Sequence, residues 1–365
     1  MAVIAIVGAG MMGSALSAPF VANGHEVRLV GTPLDGEIIA ALKAGEPHPK
    51  LRAEVPGTSA WFVEELSAAL DGVDAIALGV SSAGVRWAAQ ALGPELLRAP
   101  KPVLMVSKGL LWQDQRLHVL PDVFRAALPA EAAATVAPVG VAGPCIAGEL
   151  LRRVPTSIVF TGRSSQACEE WAALARGPFY FVHVEPDVVG AETCAALKNA
   201  FAMGVGFGAG VHEAAGGASG SVAYHNYEAA VFAQAILEMR RVVELVGGKP
   251  DTAIGLPGTG DLNVTCNGGR TGRFGKWLGT GLDLPRAIEK MEGATLECLE
   301  VLRELDLALE SFDAAGKTRP AELPLLRHLI DVALRGAPVA GMPFSRFGQD
   351  AQRGDLPLPS TNKIE

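Results

Sequence analysis

The sequence predicts an α/β N-terminal half with a doubly wound, mostly parallel sheet, followed by an all-α C-terminal half. Three observations carry this reading. Short apolar runs rich in β-branched residues alternate with helix-patterned segments as far as Tyr180–Val184. The first run leads directly into a glycine-spaced turn, Gly8–Gly13. Beyond Asp187 strand punctuation stops and long helical patterns take over. Strands joined by helical crossovers build a parallel sheet. The expected division is therefore 1–187, a dinucleotide-binding Rossmann-like domain; 188–347, a helical domain; and 348–365, a polar, Pro-containing tail expected to be poorly ordered.

Val3–Val7 suits a strand buried on both faces. Met12–Asn23 reads as a helix stopped by Asn23-Gly24. Strands follow at Glu26–Val30, Asp74–Val80, Pro102–Ser107, Thr135–Ala142, Ser157–Phe160 and Tyr180–Val184, with a helix near Trp61–Leu70. In the second half, Val188–Gly210 is Ala-, Gly- and apolar-rich, and Gly204–Gly220 reads as an insertion-like loop. Ser221–Val246 is a long helix. Further helices are expected at Arg273–Gly279, Leu284–Met291, Leu296–Leu309 and Leu325–Arg335, the last with Pro324 at its start, where a missing N–H costs nothing.

The chain has 365 residues, 49% hydrophobic and 19% charged, enough for a sizeable core and against wholesale disorder. Lys and Arg number 31 and Asp and Glu 39, a net charge of −8, which argues against a general nucleic-acid binder. A small anionic ligand needs only a few local cations. The five cysteines, Cys145, Cys168, Cys194, Cys266 and Cys298, are odd in number and form no C-x-x-C pair. They read as free thiols in a reducing compartment. Met1-Ala2-Val3-Ile4 has no basic n-region, and glycines and Pro19 break the first apolar stretch, so a soluble cytoplasmic protein without membrane contact is expected. His183, His212 and His225 have no partner at ligand spacing, so no metal is expected; His212 beside Glu213 reads as solvated loop.

Gly8-Ala9-Gly10-Met11-Met12-Gly13 is G-x-G-x-x-G between a strand and a helix. The first glycine permits the turn, the second admits a pyrophosphate, and the third lets helix and strand pack. Free N–H groups of Met11 and Met12 at the helix start favour phosphate. No acid follows the second strand until Asp35, and Arg28 lies within that strand, so NAD and NADP are not distinguished. Ser107-Lys108-Gly109-Leu110 ends a strand at the edge where such sheets bind ligands. Lys198-Asn199 lies in a helix of small apolar residues, where desolvation lowers a lysine's pKa towards neutrality. Gly258–Cys266 leads into Arg270–Gly275. Taken singly, Asp261 beside a glycine is a turn or cap residue and Arg270 a solvated cation.

Taken in order, these pieces resemble the NAD(P)-dependent glycerol-3-phosphate dehydrogenase family. The shared pattern is Gly8–Gly13, Lys108–Leu110, Gly143-Pro144-Cys145-Ile146-Ala147-Gly148-Glu149, Lys198-Asn199, Gly258–Cys266 and Arg270–Gly275, over roughly the first 280 residues. The resemblance implies an oxidoreductase that interconverts sn-glycerol 3-phosphate and dihydroxyacetone phosphate by hydride transfer, with NAD or NADP as cofactor and a homodimeric assembly. It implies Lys198 as general acid/base, Lys108 as a charge beside the developing alkoxide, and Asp261 as the group orienting Lys198. Gly143, Cys145, Asn199, Thr265, Arg270 and Thr271 would line the substrate site, Arg270 receiving the phosphate. Lys108, Arg270, Ala147 and Glu297 would join the glycine turn on the cofactor side.

Several positions depart from the family pattern. Cys145 stands where Ser or Thr is common, Thr271 where Asn follows the arginine, and Glu228 and Gln234 where basic residues are found. The Gly-rich stretch Gly208–Ser221 is longer. These departures bear on the substrate side. They keep open another small phosphorylated or acidic polyol as substrate, and a non-catalytic nucleotide-binding sensor as a further alternative.

Overall fold

The computed structural model describes residues 1–218, 224–267, 269–319 and 321–348; the expected tail from 349 onward and residues 219–223 of the Gly-rich stretch lie outside these. The strands are β1 (Val3–Val7), β2 (Glu26–Val30), β3 (Thr58–Trp61), β4 (Ala75–Leu78), β5 (Val103–Met105), β6 (Leu110–Gln113), β7 (Arg116–Val119), β8 (Val139–Ala142), β9 (Thr156–Gly162) and β10 (Tyr180–Glu185). Eight of them form one sheet in the order β3-β2-β1-β4-β5-β8-β9-β10. All neighbours are parallel except β8 and β9. The first five places are the 3-2-1-4-5 order of a doubly wound fold, whose crevice opens beside β1 at its carboxyl end. Every residue of β4, β5 and β8 is buried, as strands covered on both faces require.

The connecting helices are α1 (Met11–Ala15), α2 (Ser17–Ala22), α3 (Gly36–Lys43), α4 (Leu66–Ala69), α5 (Val85–Arg98), α6 (Leu120–Ala126), α7 (Ala130–Thr135), α8 (Ala147–Leu151) and α9 (Ser165–Ala175). The single helix expected at Met12–Asn23 is two helices meeting at Leu16. Pro19 has no N–H to offer Ala15 and its ring crowds that carbonyl. Trp61 ends β3 rather than opening a helix; β3 is short, only partly buried, and leaves no clear alternation to read. The strand expected at Thr135–Ala142 begins only at Val139, because the alanine-rich segment before it is α7. The β6–β7 hairpin also escaped the sequence reading. Its turn residues Asp114 and Gln115 take φ of 51° and 57°, the conformation of a type I′ turn, without the usual Asn-Gly signal.

The second half is α10 (Val188–Ala214), α11 (His225–Leu245), α12 (Asp261–Cys266), α13 (Arg270–Gly279), α14 (Leu284–Glu289), α15 (Glu297–Ala314) and α16 (Pro324–Arg335), with short 3₁₀ and π turns between some of them. Helix α10 is the axis, about 40 Å long at 1.5 Å per residue. By length and composition it could cross a membrane, but most of its apolar window is buried by the rest of the chain. Asp187 caps it: Oδ1 accepts from Gly190 N at 3.0 Å, and Oδ2 accepts from Thr252 Oγ1 at 2.7 Å and Lys249 N at 2.8 Å.

The loop expected from Gly204 onward is instead helical as far as Ala214, and His212 lies on its last turn with its ring 5.4 Å from that of Tyr224. The glycines are there for contact. A Cβ on Gly206 would lie 2.3 Å from Gly272 O, on Gly210 2.0 Å from Lys276 O, on Gly275 2.0 Å from Met203 O, and on Gly279 2.4 Å from Phe207 O. Helices α10 and α13 thus touch backbone to backbone. Glycine lowers helix propensity, but here packing overrides it. Gly275→Ala should therefore destabilise the protein by about 1–3 kcal/mol, the scale of overpacking, measured as a lower unfolding midpoint in urea; an unchanged midpoint would contradict the close contact.

Candidate active site

The glycine turn is held from three sides. Gly8 has φ of +112°, and a Cβ there would lie 2.6 Å from the carbonyl carbon of Gly79; one on Gly13 would lie 2.1 Å from Gly8 O. Gly79, just past β4, completes a triple contact that the motif alone did not reveal. Gly10 differs: a Cβ there would meet only Gly79 O, at 3.9 Å. Packing does not require glycine at position 10, so the gap is suited to an approaching pyrophosphate. Met11 and Met12 open α1, where the first N–H groups have no intrahelical acceptor.

Ala9 is tied to the loops behind it. Its N–H donates to Asp35 Oδ2 at 3.1 Å, an oxygen that also accepts from Thr32 N at 2.9 Å and Thr32 Oγ1 at 2.7 Å. Nδ1 of the buried His48 accepts from the N–H groups of Lys50 and Leu51, so Nε2 carries the proton and donates to Ala9 O at 2.9 Å. A recess lined by Thr32, Pro33, Ile39 and Phe62 lies beside this loop, where an apolar ring could rest. Arg28 is directed away from it, donating to Glu26, Ala69 O and Asp71 O.

A cluster of ionisable groups gathers around Asp261, which is fully buried at the start of α12. Asp261 Oδ2 accepts from Lys108 Nζ at 2.8 Å and from Gly143 N at 3.3 Å, and Oδ1 accepts from Lys198 Nζ. Lys108 comes from beyond β5, Gly143 from the end of β8, and Lys198 from the middle of α10. Burial is the largest influence on both ammonium groups and disfavours their charge. For Lys198 it prevails: assisted by the like charge of Lys108 and opposed by Asp261, it brings the pKa down to about 8. For Lys108 the charge and hydrogen bond of Asp261 outweigh burial, and its pKa is raised. One carboxylate thus keeps one lysine charged and leaves the other able to change state near neutrality.

Cys145 lies close enough to feel both lysines, but burial pushes its thiol up to about 12. Gly143, expected at the substrate site, donates its N–H to Asp261 and so borders the same cluster. The Thr265 hydroxyl donates to Asp261 O at 2.6 Å, so toward a ligand it can only accept. Asn199 Nδ2 donates to Glu297 Oε2 at 2.9 Å, joining the expected substrate and cofactor sides. Arg270 is the first residue of α13 rather than a residue before it; it is half-buried, and the adjacent Thr271 is buried. Ala147 opens α8, against α1 on the glycine-turn side. Gln234 does not face this cluster. It is buried in α11, donating to Glu238 and accepting from Gly348 N. Glu192, unremarked in the sequence, is buried with Oε2 lacking a partner among the described residues, and burial raises its pKa to about 8.

Two family models match in succession: the NAD-dependent glycerol-3-phosphate dehydrogenase N-terminus over residues 3–168 and its C-terminus over residues 187–343. The chain belongs to the NAD-dependent glycerol-3-phosphate dehydrogenase family. It is 34% identical over 290 residues to the NADP(+)-dependent glycerol-3-phosphate dehydrogenase of Archaeoglobus fulgidus, covering 80% of this chain and 84% of that one. It is 31% identical over 294 residues to an NAD(P)+ glycerol-3-phosphate dehydrogenase of Klebsiella pneumoniae subsp. pneumoniae, covering 80% and 81%. The crystal structure of glycerol-3-phosphate dehydrogenase from Coxiella burnetii matches with a TM-score of 0.77 at 26% identity, over 93% of this chain and 97% of that one.

The residues present fit a nicotinamide dinucleotide, because the gap at Gly10 has no packing use. Gly10→Ala should therefore leave the unfolding midpoint unchanged yet weaken NADH or NADPH binding by about tenfold or more, roughly 1.4 kcal/mol, in a fluorescence titration. Normal binding would place the pyrophosphate elsewhere.

Proposed function

We propose that the chain interconverts sn-glycerol 3-phosphate and dihydroxyacetone phosphate with NAD or NADP, Lys198 acting as the general acid and base. The observation that carries this reading is the pairing of two lysines with one buried carboxylate, which tunes them differently. The nicotinamide, when bound, supplies or accepts the hydride. Gly8, Gly10, Met11, Met12 and Gly13 would hold its pyrophosphate, with Ala147 and Glu297 towards the ring.

The other steps fall to side chains and backbone. In reduction, the oxygen that gains charge takes a proton from Lys198 Nζ; in oxidation, the neutral amine removes the hydroxyl proton. Lys108 stays charged and stabilises the oxyanion without exchanging its own proton. Asp261 balances one of the two positive charges and aims both ammonium groups. Asn199, one of whose two amide hydrogens is taken by Glu297, has its carbonyl oxygen held in place to accept from a substrate hydroxyl. Arg270 and the first N–H groups of α13 would receive the phosphate, with Thr271 beside them. Residues 1–187 would form the cofactor domain and 188–347 the substrate domain. The described cysteines are all free thiols, which supports a reducing, cytoplasmic setting; a homodimer is the assembly we propose.

A continuous assay of the reduced nicotinamide band with dihydroxyacetone phosphate tests the reading, with unphosphorylated dihydroxyacetone as control. Oxidation of NADH or NADPH by the phosphate alone is expected. Absence of turnover with cofactor still bound would overturn the substrate assignment. Lys198→Ala should lower kcat by about two orders of magnitude or more while cofactor binding stays normal. Reduction needs the ammonium form and oxidation the amine. With the Lys198 pKa at about 8, kcat for reduction should fall as pH rises through that value and kcat for oxidation should rise. A flat profile would remove Lys198 from proton transfer. Arg270→Ala should chiefly raise KM for the phosphorylated substrate; an unchanged KM would move the phosphate site.

A further inference from the structure

Three carboxylates on one face of α15 bond residues next to the site. Glu297 takes Asn199, as described. Glu300 Oε2 accepts from Ser82 Oγ at 2.6 Å, and Glu304 Oε2 accepts from Trp112 N at 2.6 Å. The spacing i, i+3, i+7 sets them on one helix face. Each partner adjoins the site. Asn199 follows Lys198, Ser82 lies in the loop that begins at Gly79, and Trp112 is four residues beyond Lys108.

The last of these contacts has a backbone reason. In the β6–β7 hairpin, Gln113 pairs with Arg116 next to the turn and Trp112 with Leu117. Ladder bonds alternate along an antiparallel pair, so the Trp112 N–H faces away from β7 and needs an outside acceptor. Glu304 supplies it. The Trp112 ring meets Phe312 of the same helix edge-on, centroids 6.0 Å apart, and Leu110 and Val119 are buried in the core of the helical half. The hairpin is therefore an arm that leaves the sheet at Lys108 and is fastened to α15.

We propose that Glu304 is a positioning residue for Lys108: by fastening the β6–β7 arm to α15 it holds the Lys108 ammonium against Asp261, and Glu300 fastens the Ser82 loop to the same helix. The proposal rests on the roles of Lys108, Lys198 and Asp261 given above. It has a consequence that general loss of packing lacks. The charged groups acting on Lys198 are Asp261 from α12, Lys108 from beyond β5 and Glu297 from α15; the thiols of Cys145 and Cys266 feel Lys198 in turn, but burial keeps them protonated. If the arm loosens, Lys198 loses a cationic neighbour and holds its proton to higher pH.

The test compares the full-length wild type with Glu304→Ala and Glu304→Gln; the glutamine keeps an acceptor oxygen for Trp112. Glu304→Ala is expected to lower kcat for dihydroxyacetone phosphate reduction about tenfold or more, within the range that small misplacements cause. KM for NADH should stay within about twofold, and the alkaline limb of the kcat profile should move upward. Glu304→Gln should restore kcat and the limb. Titration of isotope-labelled lysine Nζ by NMR reads the same upward shift without turnover, so an inactive wild type would count against the proposed activity while the arm is still judged. If Glu304→Ala does not fold, Glu304→Asp, one methylene short of Trp112, carries the same expectation. Unchanged kcat and lysine titration in a folded variant would overturn the proposal, and so would a Glu304→Gln variant as impaired as Glu304→Ala.

Discussion

A single carboxylate with no solvent exposure organises the site. Asp261 could not remain charged in that position unpaired, since an isolated buried ion costs several kcal/mol even after relaxation. Its partners come from three separate parts of the chain: Lys108 beyond β5, Gly143 at the end of β8 and Lys198 on α10. Burying Asp261 therefore requires the sheet edge and the helical half to meet. The same requirement leaves two cations around one anion, a net positive cluster that a phosphorylated, oxyanion-forming ligand complements. The fold's most demanding electrostatic arrangement and its chemistry are one group of atoms.

The two halves use glycine differently around this centre. At the dinucleotide crevice, Gly8, Gly13 and Gly79 crowd one another so that β1, α1 and the end of β4 converge, while Gly10 is left open. In the helical half, glycines let α10 and α13 meet without side chains between them. One set shapes a gap for a ligand; the other removes gaps within the protein. Distinguishing them required the positions of neighbouring atoms.

The mostly parallel sheet and the change to helices after Asp187 were legible because both-faced burial writes apolar runs and the Gly8–Gly13 turn has a fixed context. Lys108, Lys198 and Asp261 were legible as an ordered set, and their convergence on one carboxylate appears in the fold. The misses have identifiable causes. Strand β3 is too short and too exposed to alternate clearly. The glycines of α10 look like a loop until α13 is seen against them. The bonds from Thr265 to Asp261 O and from Gly143 N to the Asp261 carboxylate follow from no spacing rule. Glu300 and Glu304 carried no sequence signal, because their partners are a serine and a main-chain N–H more than 190 residues away.

The backbone contact between α10 and α13 also sets a length scale. Lys198 sits on one helix and Arg270 on the other, and sliding either helix past its neighbour would drive a side chain into a carbonyl. In the proposed reading, the span from the proton-transfer group to the anion-binding end is thus a ruler cut into main chain rather than into side chains. Lengthening or shortening the accepted carbon skeleton would require rebuilding two helices. Changing what that skeleton carries needs only single substitutions at positions that the proposed reading sets around it, such as Cys145 and Thr271. Divergence within this architecture should therefore conserve substrate length far more strictly than substrate decoration.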